Sequence, residues 1–114
     1  MAVEDSADSR PVLVLITVPD REVAGNIATA LVEKRFAAAV HVAEIASVYR
    51  WQDAVHQGGE VVLTVKTVAA RFADIEGLID ESHPYDLPPV IQIDIERTKS
   101  GYAQWIVENV SGNS

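Results

Sequence analysis

Two long segments rich in Val and Ile, roughly Ala38 to Trp51 and Val55 to Thr67, follow one another with only a few residues between them. β-Branched residues suit a pleated, half-buried surface, and Val61, Leu63 and Val65 alternate with Val62, Thr64 and Lys66 as the two faces of a strand do. The pair predicts an antiparallel hairpin. At about 3.3 Å per residue, arms of about a dozen residues reach roughly 40 Å. A compact domain of ~100 residues is only about 26 Å across, taken as twice its expected radius of gyration. The hairpin therefore projects from its own domain, which predicts a closed homo-oligomer in which sheets pack together and hairpin tips exchange contacts. In the first arm the apolar parity changes from Val40 and Val42 to Ile45 and Tyr49, so a bulge or bend near Glu44 is expected.

The remaining periodicities place this hairpin in a fold. Val12 to Val18 is a continuous apolar run ending at Pro19, the pattern of a central strand buried on both faces. Asp20 then caps a helix whose apolar stripe is Val23, Ile27 and Leu31, with Lys34 and Arg35 at its C-terminal end. Val68, Phe72, Ile75 and Ile79 mark a second helix. Ile91, Ile93 and Ile95 alternate with Gln92, Asp94 and Glu96 as a strand with one wet face, and Ser100 caps a last short helix bearing Tyr102, Trp105 and Ile106. Strand, helix, strand, strand, helix, strand is the split βαβ order of an α+β, ferredoxin-like fold with two helices on one face of a four-stranded sheet. The other face is too apolar to be left in water.

A chain of 114 residues, nearly half of them hydrophobic, makes one such domain, here 11–110, between an acidic, disordered N-terminal tail at 1–10 and a short C-terminal tail at 111–114. With no cysteine there is no disulfide, no thiolate metal cage and no cysteine nucleophile. The first ten residues carry no apolar h-region and no segment approaches the ~20 apolar residues of a membrane span, so a soluble, cytoplasmic protein is expected. A formal charge of -8 argues against nucleic acid or anionic lipid as partner. Cations and neutral or amphipathic ligands stay open. Gly-rich phosphate loops, G-x-S-x-G and H-E-x-x-H are all absent, and no catalytic role is expected.

Between the second helix and the last strand lies His83-Pro84-Tyr85-Asp86-Leu87-Pro88, where a plain connector would be Gly, Asn and Ser. Two prolines restrict the backbone on either side of Tyr85, so His83 and Tyr85 are held in nearly fixed relation to the elements they join. An imidazole at 83 would equally cap the last carbonyls of the preceding helix. The succession Thr17-x-Pro19, Phe36-Ala37-Ala38-Ala39-Val40, Tyr49-x-Trp51, Glu60, Lys66-Thr67, His83-Pro84-Tyr85-x-x-Pro88 and Tyr102-x-x-Trp105 resembles the CutA divalent-cation tolerance proteins from Val12 to Val110. That resemblance implies a ferredoxin-like protomer in a tight, PII-like homotrimer with a role in tolerance of copper or other divalent cations. Two positions depart from the family pattern. Ala39 stands where members often have Cys, so the soft sulfur linked to copper is missing, and imidazole with carboxylate suits copper(II) better than copper(I). Asp53 stands where Gly is usual; it tolerates a left-handed turn, although Gly58-Gly59 offers a later turn or bulge.

His83 is the candidate metal ligand, with Glu81 and Asp86 near in sequence as oxygen donors and a second subunit to complete the shell. His41 and His56 show no ligand spacing and read as strand-face or loop residues. Glu60 and Lys66 share one face of a strand, and Tyr49 and Trp51 share a face near the hairpin tip. With Tyr85 they form a candidate ligand cleft, or alternatively an interfacial ion-pair network with aromatic anchors. Thr17 and Asp20 read better as a helix cap than as an anion site, because Asp20 repels an anion. The leading expectation is a cytoplasmic homotrimer that binds copper(II) or another divalent cation. Two further readings are a PII-like small-molecule sensor and a structural or partner-binding trimer.

Overall fold

Val12, Val14, Ile16 and Val18 are completely buried while the residues between them are half-buried, so the first strand commits one face to a core inside the chain. That strand is β1 (Pro11–Val18) in a computed structural model that describes residues 8–111. It is followed by α1 (Arg21–Glu33), β2 (Ala39–Trp51), β3 (Ala54–Val68), α2 (Phe72–Ser82), β4 (Val90–Asp94) and α3 (Ser100–Val110). The strands form one antiparallel sheet in the order β2-β3-β1-β4. This is the expected ferredoxin-like arrangement. Ala24, Ile27 and Leu31 of α1 and Ile75 and Ile79 of α2 pack in one cluster with the buried face of β1 and with Val61, Leu63 and Val65 of β3. Each Val, Leu or Ile fully buried there contributes about 1.5–3 kcal/mol relative to exposure.

Local chemistry sets the boundaries. Asp20 is extended, and its carboxylate accepts the Val23 N–H at 2.9 Å, which opens α1 as expected. Val68 belongs to β3, opposite Pro11, and a single 3₁₀ turn at Ala69–Arg71 delays α2 to Phe72. The four-residue spacing to Phe72 was thus a strand end followed by a helix start. Val68 instead buries against Ile106 and Val110 of α3 in a second, smaller cluster. Ser100 is the first residue of α3 and not its cap, a position taken by Lys99 without a side-chain bond. The Arg71 guanidinium closes the other end of α3, donating to the Val110 carbonyl at 3.2 and 2.7 Å. Asp8 and Arg10 already fasten the chain to the domain, their carbonyls accepting from Ala70 and Ala69 at 2.8 and 2.9 Å. The rest of the expected tails, 1–7 and 112–114, lies outside the described residues.

The hairpin has no bulge. Its register runs unbroken from Ala39 opposite Lys66 to Trp51 opposite Ala54. Gln52 and Asp53, at φ 52 and 66, make the two-residue turn in the left-handed form that matches strand twist. Gly58 and Gly59 lie inside β3, opposite Ser47 and Ala46. The parity change at Ile45 has another cause: Val40 packs against the main core, but farther along the hairpin outruns the helices, and the apolar residues Ile45, Tyr49 and Trp51 occupy the opposite face. The long dimension of 44 Å against 28 and 22 Å comes with this projection.

The face of the sheet away from α1 and α2 carries Leu13 and Leu15 of β1, with Ile93 and Ile91 opposite them. Ile91 is 53% exposed and Ile93 43%. Both faces of β4 are thus open within one chain: Gln92 and Asp94 align with the helix-facing residues Val14 and Val12, and Asp94, itself exposed, pairs with Arg10 at 3.2 Å.

Candidate functional site

His83 ends α2 in an extended conformation that turns its ring back toward the sheet. Its Nε2 lies 2.6 Å from the Thr17 carbonyl, which can only accept, so Nε2 donates. Nδ1 is then unprotonated and accepts the Tyr85 N–H at 3.1 Å. The imidazole caps the end of β1 and not the carbonyls of its own helix. Its ring also meets that of Tyr85, with centroids 4.6 Å apart. Together these contacts aim the Tyr85 phenol at the hairpin, where its hydroxyl donates to Glu60. Burial, this hydrogen bond and the negative charge of Glu60 push the phenol well above its ordinary range.

Between the protruding part of the hairpin and this loop opens a cavity of about 670 Å³. Ile45, Tyr49, Trp51 and Glu60 form the hairpin wall, and Tyr85, Asp86 and Leu87 form the loop wall, with Thr17 at the end of β1. Four of the five expected cleft residues, Tyr49, Trp51, Glu60 and Tyr85, thus come together. Lys66 does not join them. Its ammonium lies 2.5 Å from His41 Nδ1 and 3.3 Å from Nε2, six residues along β3 from Glu60, and burial lowers its pKa. His56 stacks on Tyr49 with centroids 5.4 Å apart. Ile45 and Leu87 are among the wall residues outside the expected set. For Ile45 the sequence held a signal in the parity change, which marked a second apolar surface and not a bulge.

Metal chemistry meets a restriction in one chain. Both His83 nitrogens are engaged by backbone, and among the described residues no group of three or more His, Cys, Asp or Glu could hold a metal ion. Ala39 lies opposite Lys66, which in turn lies beside Leu13, four residues along β1 from Thr17. A ligand at position 39 would accordingly sit more than ~10 Å along the sheet from the His83 contact in the same chain.

The sequence profile of the CutA1 divalent ion tolerance proteins matches residues 12–109. This chain belongs to that family. The divalent-cation tolerance protein CutA of Thermus thermophilus is 41% identical over 98 residues, which cover 85% of this chain and 95% of the relative. The solved Thermus thermophilus CutA1 structure superposes with a TM-score of 0.84 at 40% identity, over 87% of this chain and 97% of that one. A structure described as the periplasmic divalent cation tolerance protein CutA from Archaeoglobus fulgidus gives a TM-score of 0.85 at 33% identity, over 88% and 98%. As a CutA1 family member, the chain shares a ferredoxin-like core with these proteins. None of its described helices is long and apolar enough to cross a membrane.

Proposed function

We propose that this family member is a cytoplasmic homotrimer that acts in the response to divalent cations by binding an effector at the cavity between hairpin and loop. The observation that supports this reading is the convergence of Tyr49, Trp51, Glu60 and Tyr85 on one cavity beside an exposed apolar sheet face. That face is where a second copy would pack, and a second copy would close the cavity. Its work is binding, not catalysis. In the first form of the proposal the effector is the cation itself, copper(II) foremost. His83 then exchanges its Thr17 contact for the metal, and Asp86 with carboxylates of a neighbouring subunit completes the shell. The test is calorimetric titration of the assembled protein and of His83→Ala with copper(II), zinc and nickel. Saturable binding lost in the variant supports ligation by His83; unchanged affinity removes His83 from the shell.

A second form is favoured by the size and walls of the cavity. At about 670 Å³ with three aromatic side chains, it has the volume of a small-molecule pocket and not of a bare-ion site. Here the trimer is a PII-like sensor of a small molecule. Trp51→Ala separates this from a purely structural role: an intact trimer that no longer responds to ligand supports the sensor, and dissociation supports assembly.

A further inference from the structure

We propose that the cavity between the hairpin and the Tyr85 loop is built for an organic cation, an ammonium or guanidinium group carried on an apolar body. This rests on the small-molecule form of the function proposed above and names its ligand class. Among the described residues, the charged side chains lining the cavity are Glu60 and Asp86, both carboxylates, with no Lys or Arg beside them. Arg50 lies between Tyr49 and Trp51 on β2 and so belongs to the other face of the hairpin, Arg21 pairs with Glu44, and Lys66 sits six residues along β3 from Glu60, against His41. Tyr49, Trp51 and Tyr85 line the cavity, and the negative quadrupole of an aromatic face attracts a cation and repels an anion. Ile45 and Leu87 give the apolar body of the ligand its contact surface.

The hydrogen bonding points the same way. The Tyr85 hydroxyl spends its proton on Glu60, so this phenol has no donor left for an anionic guest. It also fixes the carboxylate at the wall, where a charge-assisted bond to an incoming N–H is stronger than one to a mobile, solvated group. Burial first, and then the hydrogen bond and negative charge of Glu60, raise the Tyr85 pKa. Within one chain an anion would meet two carboxylates and three aromatic side chains, with no Lys or Arg among the described lining residues to receive it.

The test uses a charge series on one ring. Benzyltrimethylammonium, benzyl alcohol and benzoate are titrated into the full-length protein, with Trp51 fluorescence read in a Trp105→Phe background and the mass of the assembly checked by light scattering. The expected result is saturable binding of benzyltrimethylammonium about tenfold tighter than benzyl alcohol, with no measurable binding of benzoate. In Glu60→Gln, whose amide oxygen still accepts from Tyr85, the preference for the cation shrinks toward parity. Equal or tighter binding of benzyl alcohol or benzoate, or a preference untouched by Glu60→Gln, overturns the cationic assignment while leaving a small-molecule pocket. If none of the three binds at millimolar concentration, the cationic assignment and the sensor reading fall together.

Discussion

The imidazole of His83 reaches the carbonyl of Thr17 at 2.6 Å and so ties the loop after α2 to the end of β1 across 66 residues of sequence. Its second nitrogen holds the Tyr85 amide. The loop wall of the cavity is therefore positioned by one side chain with two backbone partners. His83→Ala removes both bonds and leaves a half-buried carbonyl and amide to find water. The expected cost is about 1–3 kcal/mol in denaturant unfolding, together with faster hydrogen exchange at the Tyr85 amide. An unchanged exchange rate would show that Pro84 and the ring packing hold the loop alone.

The Tyr85 phenol gives a pH prediction. Its folded-state pKa lies above the 10.0 of a free phenol because burial and the bond to Glu60 favour the protonated form. The stabilisation is complete below pH ~10 and is lost as pH rises from there toward the raised value. A spectrophotometric tyrosinate titration should show a late component in the wild type that is missing from Tyr85→Phe. The same variant loses about 1–2 kcal/mol near neutral pH, and its stability falls less between pH 9 and 11.

The hairpin turn holds two non-glycine residues at positive φ, Gln52 and Asp53. Left-handed backbone is strained for any side chain and least so for Asp and Asn. Asp53→Gly is expected to raise stability by about 0.5–1 kcal/mol without altering the register of β2 on β3. Thermal unfolding checks the first part and amide exchange along β3 the second.

The apolar face opposite the helices gives a test of assembly that spares the core. Ile93 is 43% exposed and belongs to neither buried cluster, so Ile93→Glu costs the single chain little. In a trimer packed through that face it buries an unpaired charge, worth several kcal/mol. The molar mass by light scattering is expected to fall from three times 12.4 kDa toward that of one chain, with the far-ultraviolet circular dichroism retained.

The order of strands and helices was legible because each element keeps its own apolar pattern: β1 is a continuous apolar run, Val61, Leu63 and Val65 of β3 alternate with their neighbours, and Val23, Ile27 and Leu31 repeat at helical spacing. The cleft was legible in part, since Tyr49, Trp51, Glu60 and Tyr85 are residue types that a connector or a solvated strand does not need. What escaped lies where two patterns overlap. Val68 fits a helical stripe and a strand end equally well, and pairing with Pro11 decided it. Ile45 looked like the mark of a bulge because its alternation breaks from Val42, and only the length of the hairpin beyond the helices reveals a second apolar surface. Lys66 shares a face with Glu60 but lies roughly 20 Å along the strand from it, too far for contact as the spacing already implied, and what the spacing left open, a single groove lined by both, ends before Lys66. Local periodicity fixes the face and the spacing along a strand but not where the wall of a cavity ends.

The most direct test of the proposed function is a calorimetric titration of the assembled, tag-free protein with copper(II) near neutral pH, its mass fixed by light scattering under the same conditions. Cation binding by the trimer predicts a saturable isotherm of defined stoichiometry per three chains, weakening as the pH is lowered and imidazole and carboxylates take up protons. Weak, non-saturating uptake by an intact trimer would contradict it.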